Sequence, residues 1–328
     1  MTTPLVDPEL VDAIHRADAQ IRPTVLETPV VAWPQYAERV GGPVFVKAEH
    51  LQRTGSFKLR GATNAVTQAI PLGKTIATAS SGNHGLGVSH ALRAAGQNGV
   101  VFLPESVAPA KLDAVRRTGV RVELFGIDSN DTEKEAQRVS KLEGWHYLSP
   151  YNDADVVAGQ GTIGLELLRQ LDRIDVVYIS VGGGGLISGI AAALKAVNPD
   201  IQIVGCSAAN SCVMHESVRA GRMLDLESLP TFSDGTAGGV DADTITFGYC
   251  QTLVDEWLLV SEREIARSMR DHINDLHQLV EGSAGVAFAA LLKHADADAR
   301  LAGATRVAIS CGQNIGVARL LEVLSAAE

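Results

Sequence analysis

Cysteine, basic residues and long apolar runs are all scarce in this chain of 328 residues. It has four cysteines, and no two of them form a C-x-x-C pair, so neither a zinc ribbon nor a disulfide framework is expected. Lys and Arg number 28 against 38 Asp and Glu, and the formal net charge of −10 argues against nucleic acid and anionic membranes as partners. The longest clean apolar run, 286–292, is far shorter than the roughly 20 residues of a membrane-spanning helix. The first residues include no basic segment followed by an apolar one, so we expect a cytoplasmic protein.

Glycine is plentiful, with 32 residues, and short β-branched runs alternate with helical patterns. The runs predict strands at 44–46, 75–78, 100–103, 120–124, 175–181, 201–206 and 306–309. The patterns between them predict helices at 56–69, 84–95, 109–117, 132–142, 186–197, 284–295 and 317–324. This alternation indicates an α/β fold of open, twisted, mostly parallel sheets with helices on both faces. Two blocks of such units predict a large domain, 1–74 and 150–328, with a small domain, 75–149, inserted in it.

The strongest motif is a run of glycines between a predicted strand and a predicted helix: Gly182, Gly183, Gly184 and Gly185, followed by Leu186. Backbone N–H groups of such a turn can surround an anion at the positive end of a helix, and a phosphate is the expected ligand. The run is not a Walker A loop, because no Lys-Ser/Thr follows it, and it does not fit G-x-G-x-x-G, which disfavours an NAD-dependent dehydrogenase. The structural alternative is a glycine-rich turn needed only for close packing.

A lysine follows a serine near the start of the first predicted helix. Ser56 is a candidate N-cap, which would place Lys58 in the first helical turn. The helix dipole there disfavours a charged ammonium and should lower the pKa of Lys58 from about 10.4. A lysine of this kind can form a Schiff base with an aldehyde, and together with a phosphate-binding turn it indicates pyridoxal 5′-phosphate (PLP). Taken alone, Lys58 would more often be a solvated lysine at a helix start.

Two further loops follow predicted strands and have side chains suited to a ligand. Ser80, Ser81, Asn83 and His84 stand at the start of a predicted helix, where hydroxyls and free N–H groups suit a substrate carboxylate. An ordinary capped turn is the alternative, whereas a serine hydrolase is disfavoured because the chain has no G-x-S-x-G motif. Cys311 follows the last strand and could equally be a buried structural thiol.

Five segments of the chain resemble, in the same order, those of the fold-type II PLP enzymes. The group they resemble most is that of the threonine/serine dehydratases and serine racemases. The segments are SFKLRGA (56–62), SGNHG (81–85), GQGT (159–162), GGGG (182–185) and EGSAG (281–285). The resemblance therefore extends over nearly the whole chain.

The resemblance implies a role for each matching residue. Lys58 would hold PLP as a Schiff base and act as the base at Cα, with Ser81 on the opposite face as in racemases. The implied cofactor contacts are Lys58, Phe57, Asn83, Gly182, Gly183, Gly184, Gly185, Leu186, Glu281 and Cys311, the last of these facing the pyridine nitrogen. The implied substrate contacts are Ser80, Ser81, His84, Tyr151 and Gly235.

The resemblance also implies a reaction, which is β-elimination of water from threonine or serine to give a 2-oxo acid and ammonia. A racemase is an alternative, because elimination and racemisation share the same Cα carbanion. A second alternative comes from the stretch 232–240, which resembles that of hydroxyectoine-utilisation dehydratases and would favour a hydroxylated diamino acid whose extra amine meets Asp153, Asp155 or Asp234. A non-catalytic amino-acid sensor is the rival outside enzymes.

Two further expectations concern metal ions and assembly. Related racemases have an acidic metal ligand where this chain has Ser207, so no metal site is expected there. A homodimer with a small amino-acid substrate is the expectation from the family.

Overall fold

The computed structural model describes residues 6–326, apart from the side chains at 110, 129 and 130, so residues 1–5 and 327–328 of the predicted large domain lie outside it. The helices are α1 (Pro8–Ile21), α2 (Pro34–Val40), α3 (Lys58–Ala69), α4 (Asn83–Ala95), α5 (Pro109–Arg116), α6 (Ser129–Glu143), α7 (Ala154–Gln170), α8 (Gly185–Val197), α9 (Val213–Ala220), α10 (Thr246–Leu253), α11 (Glu262–Leu276), α12 (Gly282–Ala297) and α13 (Val317–Ala326). The strands are β1 (Val30–Ala32), β2 (Val44–Lys47), β3 (Ile76–Ala79), β4 (Gly99–Leu103), β5 (Arg121–Leu124), β6 (His146–Tyr147), β7 (Val176–Ser180), β8 (Gln202–Ala208), β9 (Glu256–Val260) and β10 (Arg306–Ile309).

The strands form two sheets. The larger has the order β1-β2-β10-β7-β8-β9, in which β1 runs antiparallel to β2 and the other neighbours pair in parallel. The smaller has the order β5-β4-β3-β6 with parallel pairing, and its strands all lie between Ile76 and Tyr147. The α/β class with mostly parallel sheets is therefore confirmed. No helix between residues 6 and 326 is both long and apolar enough to cross a bilayer.

The predicted strands and helices are present to within three residues at each end. Three long helices, α1, α7 and α11, are absent from the sequence-based prediction. Helix α7 is missed because it contains Gly159, Gly161 and Gly164, and glycines favour a loop over a helix when the segment is considered alone. The helix begins at a clear signal nonetheless, since Asp153 Oδ1 accepts the N–H groups of Asp155 and Val156 at 2.9 Å each.

The glycines of α7 allow three helices to pack backbone to backbone. A Cβ at Gly159 would lie 2.6 Å from Cα of Gly61 in α3, and one at Gly161 would lie 2.9 Å from the carbonyl oxygen of Gly189 in α8. Any larger residue at these positions would push the helices apart. The GQGT segment thus lies inside a buried helix, and its glycines serve packing.

A buried group of four charged side chains joins α3 to α7 and to the end of β2. We call Lys47, Glu49, Arg60 and Glu166 the buried quartet. The Arg60 guanidinium donates to Glu49 from Nε at 2.7 Å and Nη2 at 2.8 Å, and to Glu166 from Nη1 at 2.6 Å and Nη2 at 2.8 Å. Lys47 Nζ donates to Glu166 Oε2 at 2.5 Å and to the carbonyl oxygen of Thr28 at 2.7 Å. The two positive and two negative charges cancel, so the quartet can be buried as a neutral unit.

Replacing Arg60 with Met should destabilise the protein strongly. The change leaves two glutamates buried beside a single cation, and removing one partner of a buried ion pair costs about 3–5 kcal/mol. Urea denaturation of the holoprotein should show a lower midpoint with an unchanged slope. The matched control is Arg22→Met, which removes an exposed pair with Asp18 and should leave the midpoint where it was. Equal midpoints for the two variants would contradict the role assigned to the quartet.

Candidate active site

The loops singled out in the sequence lie at the carboxyl ends of parallel strands, where ligands bind in open α/β sheets. Ser80 follows β3 in the smaller sheet, while the glycine run follows β7 and Cys311 follows β10 in the larger one. Asn83, after the smaller sheet, donates to Glu281 and accepts from Asn314, which follows the larger sheet. The loops of the two sheets therefore meet at one site, which we call the cleft.

Lys58 is the first residue of α3 and is half-buried. Its Nζ donates to the carbonyl oxygen of Pro150 at 2.8 Å and lies 5.3 Å from the ring centre of Phe57. Burial lowers the pKa of Lys58 to about 8, although the nearby Cys311 and Glu281 act in the opposite direction. With that pKa about a tenth of the Lys58 amines are uncharged at pH 7, compared with fewer than about one in a thousand for an ordinary lysine of pKa about 10.4, and only the uncharged amine is a nucleophile.

The predicted Ser56 N-cap is wrong. The N-cap position of α3 is Phe57, which makes no capping bond with its side chain. Ser56 instead forms an antiparallel bridge with Gly312, and the Phe57 N–H donates to the carbonyl oxygen of Cys311 at 3.1 Å. This pairing with the loop after β10 delays the helix start, so Lys58 is placed by tertiary contacts and not by a local capping signal.

The glycine run turns from β7 into α8. Gly184 has a φ of +85° and occupies the N-cap position of α8. Within the described part of the chain, the N–H groups of Gly182, Gly183 and Gly184 donate to no acceptor, and those of Gly185 and Leu186 belong to the first helical turn. A group of free N–H donors at a helix start is a binding site for an anion such as phosphate.

Close neighbours explain why these positions are glycines. A Cβ on Gly183 would lie 2.3 Å from Cγ of Tyr151, and one on Gly182 would lie 3.0 Å from Cα of Thr236. The Tyr151 hydroxyl is itself fixed, because it accepts the Asp241 N–H at 2.9 Å. Tyr151 therefore packs against the glycine turn, and its predicted contact with a substrate side chain stays a prediction.

The loop after β3 divides its side chains between the cleft and the interior. Ser80 Oγ accepts the Gly82 N–H at 3.2 Å, and Ser81 is half-buried. The ring of His84 is buried, and its Nε2 lies 3.4 Å from the carbonyl oxygen of Leu148. Burial, and then the charge of Lys58, lowers the pKa of His84 to about 3. His84 is thus an uncharged side chain facing inward, and what it can offer a carboxylate is its backbone N–H.

Asn83 and Glu281 meet across the cleft. Asn83 Nδ2 donates to Glu281 Oε1 at 2.9 Å and to Oε2 at 3.1 Å. Burial raises the pKa of Glu281, and Gly235 lies against its carboxylate, since a Cβ there would be 3.2 Å from Oε1. Burial, and then Glu281, raises the pKa of the Cys311 thiol well above its usual value. Cys311 is accordingly a neutral thiol.

Several groups of the site have no counterpart in the sequence-based prediction. They are the carbonyl oxygen of Pro150, Thr246 and Asn314, whereas Thr236 belongs to the stretch 232–240 already singled out in the sequence. Asn314 could have been found, because it follows Cys311 in the same loop. The backbone carbonyl could not, because no residue type marks it.

Two of the three acids considered for a second substrate amine, Asp153 and Asp234, have other partners. Asp153 caps α7, and Asp234 Oδ1 lies 3.3 Å from Nη2 of Arg319. Burial raises the pKa of Asp155.

No group of three or more His, Cys, Asp or Glu residues suited to a metal ion occurs in the part of the chain that the structure describes. Ser207 lies within β8, where its Oγ donates to the carbonyl oxygen of Val181 at 3.4 Å.

These residues fit PLP. The free N–H groups of the glycine turn suit its phosphate, the uncharged Lys58 amine suits its aldehyde, and the Cys311 thiol is a neutral partner for its ring nitrogen. Tyr151 and Thr236 lie where side chains on Gly183 and Gly182 would be, so the turn exposes backbone and not side chains.

Known proteins with similar sequences and structures point the same way. The chain is 38% identical over 309 residues to the L-threonine ammonia-lyase of Geobacter sulfurreducens, covering 93% of this chain and 75% of that one. Its structure resembles the processed form of threonine deaminase isoform 2 from Solanum lycopersicum, with a TM-score of 0.92, 31% identity and coverage of 99% and 96%. It also resembles maize serine racemase, with a TM-score of 0.89, 29% identity and coverage of 96% of each chain.

The family model described as "Pyridoxal-phosphate dependent enzyme" matches residues 21–312, which include every residue of the site named above except Asn314. The cofactor expected from the glycine turn and Lys58 is thereby confirmed. This chain belongs to the family of pyridoxal-phosphate dependent enzymes, in the group of the threonine and serine dehydratases.

Proposed function

We propose that this protein catalyses the β-elimination of water from threonine or serine, releasing a 2-oxo acid and ammonia. The observation that carries the proposal is Lys58, a half-buried lysine whose amine has a pKa of about 8, at the same site as the free N–H groups of the glycine turn. An L-threonine ammonia-lyase and a threonine deaminase among the similar proteins support this choice of reaction.

Lys58 is the base in this proposal. PLP, when bound, supplies the electron sink that makes the substrate Cα–H acidic. Lys58 Nζ, released when the substrate amine takes its place, would then remove the Cα proton, and its hydrogen bond to the Pro150 carbonyl at 2.8 Å would hold the free amine in place. Facing the pyridine nitrogen of a bound PLP, the neutral thiol of Cys311 would leave that nitrogen largely unprotonated, which would temper the electron sink and favour loss of the β-hydroxyl over deeper carbanion chemistry.

The substrate carboxylate would bind at the start of α4. Ser80, Ser81 and the backbone N–H groups of the first helical turn offer donors at the positive end of the helix dipole. His84 contributes through its N–H, since its ring lies inside the protein. The phosphate of PLP would occupy the glycine turn, with Phe57 and Leu186 beside the cofactor.

Racemisation is the second candidate, and one observation favours it. Ser81 is half-buried and its hydroxyl makes no hydrogen bond within residues 6–326, so it would be available as an acid on the face opposite Lys58, where the family resemblance puts it. The hydroxylated diamino acid has no comparable support, because Asp153 and Asp234 already have partners.

We also propose the predicted assembly and domain division. The four strands of the smaller sheet, all between Ile76 and Tyr147, support a small domain of 75–149 within a large domain of 1–74 and 150–328.

Four unpaired cysteines suit the cytoplasm, where thiols stay reduced. A homodimer follows from the family resemblance, and light scattering after size-exclusion chromatography tests it.

Ammonia release from a panel of β-hydroxy amino acids tests the proposed reaction. L-Threonine or L-serine should give ammonia and the 2-oxo acid in equal amounts, and Lys58→Ala should lower turnover by a factor of about 10³ or more, because the base at Cα is lost. Chiral analysis of the remaining serine measures racemisation in the same samples. Lys58→Ala protein with ordinary turnover would refute the assignment of the base.

The rate at which PLP attaches to the apoprotein should depend on the pKa of Lys58. Only the uncharged amine reacts, so the rate should rise about tenfold per pH unit below pH 8 and level off above it. The growth of the visible absorbance after PLP is added measures this rate. An exposed lysine would behave differently, with a rate still climbing between pH 9 and pH 10, and such a profile would show that burial does not lower this pKa.

Gly183→Ala should weaken PLP binding, because its methyl group would lie 2.3 Å from the Tyr151 ring and must displace it or the turn. Overpacking of this kind costs about 1–3 kcal/mol, and fluorescence titration of the apoprotein with PLP measures the loss. Gly239→Ala is the matched control, since no atom lies within 4 Å of its Cβ. Adding Tyr151→Ala to Gly183→Ala should restore part of the affinity, and no recovery would mean that the ring is not the obstacle.

A further inference from the structure

Asn314 connects three segments of the active site that are far apart in sequence. Its Nδ2 donates to the carbonyl oxygen of Thr54 at 2.8 Å and to Asn83 Oδ1 at 2.7 Å. Its backbone N–H donates to Glu281 Oε2 at 3.1 Å. The side chain is exposed at the edge of the cleft, so these contacts are not a by-product of core packing.

The backbone around Asn314 is shaped to accept its side chain. Gly55 has a φ of +73°, and a Cβ there would lie 2.6 Å from Oδ1 of Asn314. The Gln313 N–H donates to the carbonyl oxygen of Gly55 at 2.9 Å, which joins the two loops directly. The loop that leads to Lys58 and the loop after Cys311 therefore meet at a glycine that leaves room for this asparagine.

Asn314 and Glu281 together determine the direction of the Asn83 side-chain amide. A primary amide has one accepting end and one donating end, and its direction is set by its neighbours. Asn314 Nδ2 faces the accepting end of Asn83 at 2.7 Å, while the Glu281 carboxylate faces the donating end at 2.9 Å. The reversed amide would place two NH₂ groups together and an oxygen against a carboxylate, so both contacts select the same direction.

We propose that Asn314 is a positioning residue, which fixes the direction of the Asn83 side-chain amide so that its NH₂ group faces the 3′-oxygen of PLP. This inference rests on the proposed function, in which PLP is attached to Lys58, and on the cofactor contact that the family resemblance implies for Asn83, which is with the 3′-oxygen of PLP. Both carboxylate oxygens of Glu281 can share one proton of this NH₂ group, which leaves the second proton for PLP. Asn314 itself acts through Asn83.

The test is a double-mutant cycle on the holoenzyme, using Asn83→Ala, Asn314→Ala and the double variant. The PLP dissociation constant and the pH dependence of the visible absorbance are measured for each. Loss of one well-directed hydrogen bond should raise the dissociation constant about five- to tenfold in Asn314→Ala and move the pH midpoint of the absorbance. In the Asn83→Ala background, Asn314→Ala should change neither quantity.

Two controls separate a directed amide from a general loss of structure. Gln313→Ala alters the neighbouring side chain, which makes no hydrogen bond in the described part of the chain, and should leave both quantities at wild-type values. Asn314→Asp replaces the donor with an acceptor beside Glu281 and should have a larger effect than Asn314→Ala.

The outcomes also separate this inference from the proposed function. Borohydride reduction followed by peptide mapping shows whether PLP is attached to Lys58, and wild-type protein without that label would overturn the proposed function itself. If Lys58 is labelled in every variant, two results would overturn the inference alone. One is an Asn314→Ala enzyme that binds PLP and titrates like wild type. The other is an Asn314→Ala effect of equal size with and without Asn83.

Discussion

The buried quartet is the interaction on which the active site depends. Arg60 lies two residues after Lys58 in α3, and its guanidinium is shared between Glu49, just beyond β2, and Glu166 in α7. A buried charge without its partner is far more costly than the pair, so each member constrains the others. The helix that bears Lys58 is thereby held against both the larger sheet and α7. The close packing of Gly61 on Gly159 also holds it against α7.

Lys58 and Arg60 show how burial leads to opposite results in neighbouring residues. Arg60 has two carboxylates around its guanidinium and stays charged. Within residues 6–326 Lys58 Nζ has only the Pro150 carbonyl within hydrogen-bond distance, and burial lowers its pKa to about 8. Arg60 is therefore structural and Lys58 reactive, although both are basic residues of the same helix. The difference lies in the partners that the rest of the chain brings to each.

The sequence predicts those features of the site that depend on local patterns. The glycine run, the lysine near a helix start and the strands that precede both are readable from residue type and spacing. Three features are not. Helix α7 is hidden by glycines that serve packing, the expected Ser56 cap is replaced by a bridge to Gly312, and the ring of His84 turns toward Leu148. Each depends on a segment far away in sequence, which no local pattern records.

The groups around the cleft also determine which charges it can hold. Burial raises the pKa of both Glu281 and the Cys311 thiol, and the proximity of Glu281 raises that of Cys311 further. The thiol therefore remains neutral over the pH range in which Lys58 loses its proton. Because Glu281 accepts hydrogen bonds from Asn83 and Asn314, its carboxylate is directed toward these amides. The free N–H donors of the glycine turn favour an anion, and the Lys58 amine reacts with an aldehyde once it is uncharged. A phosphate-bearing aldehyde provides both groups in a single molecule.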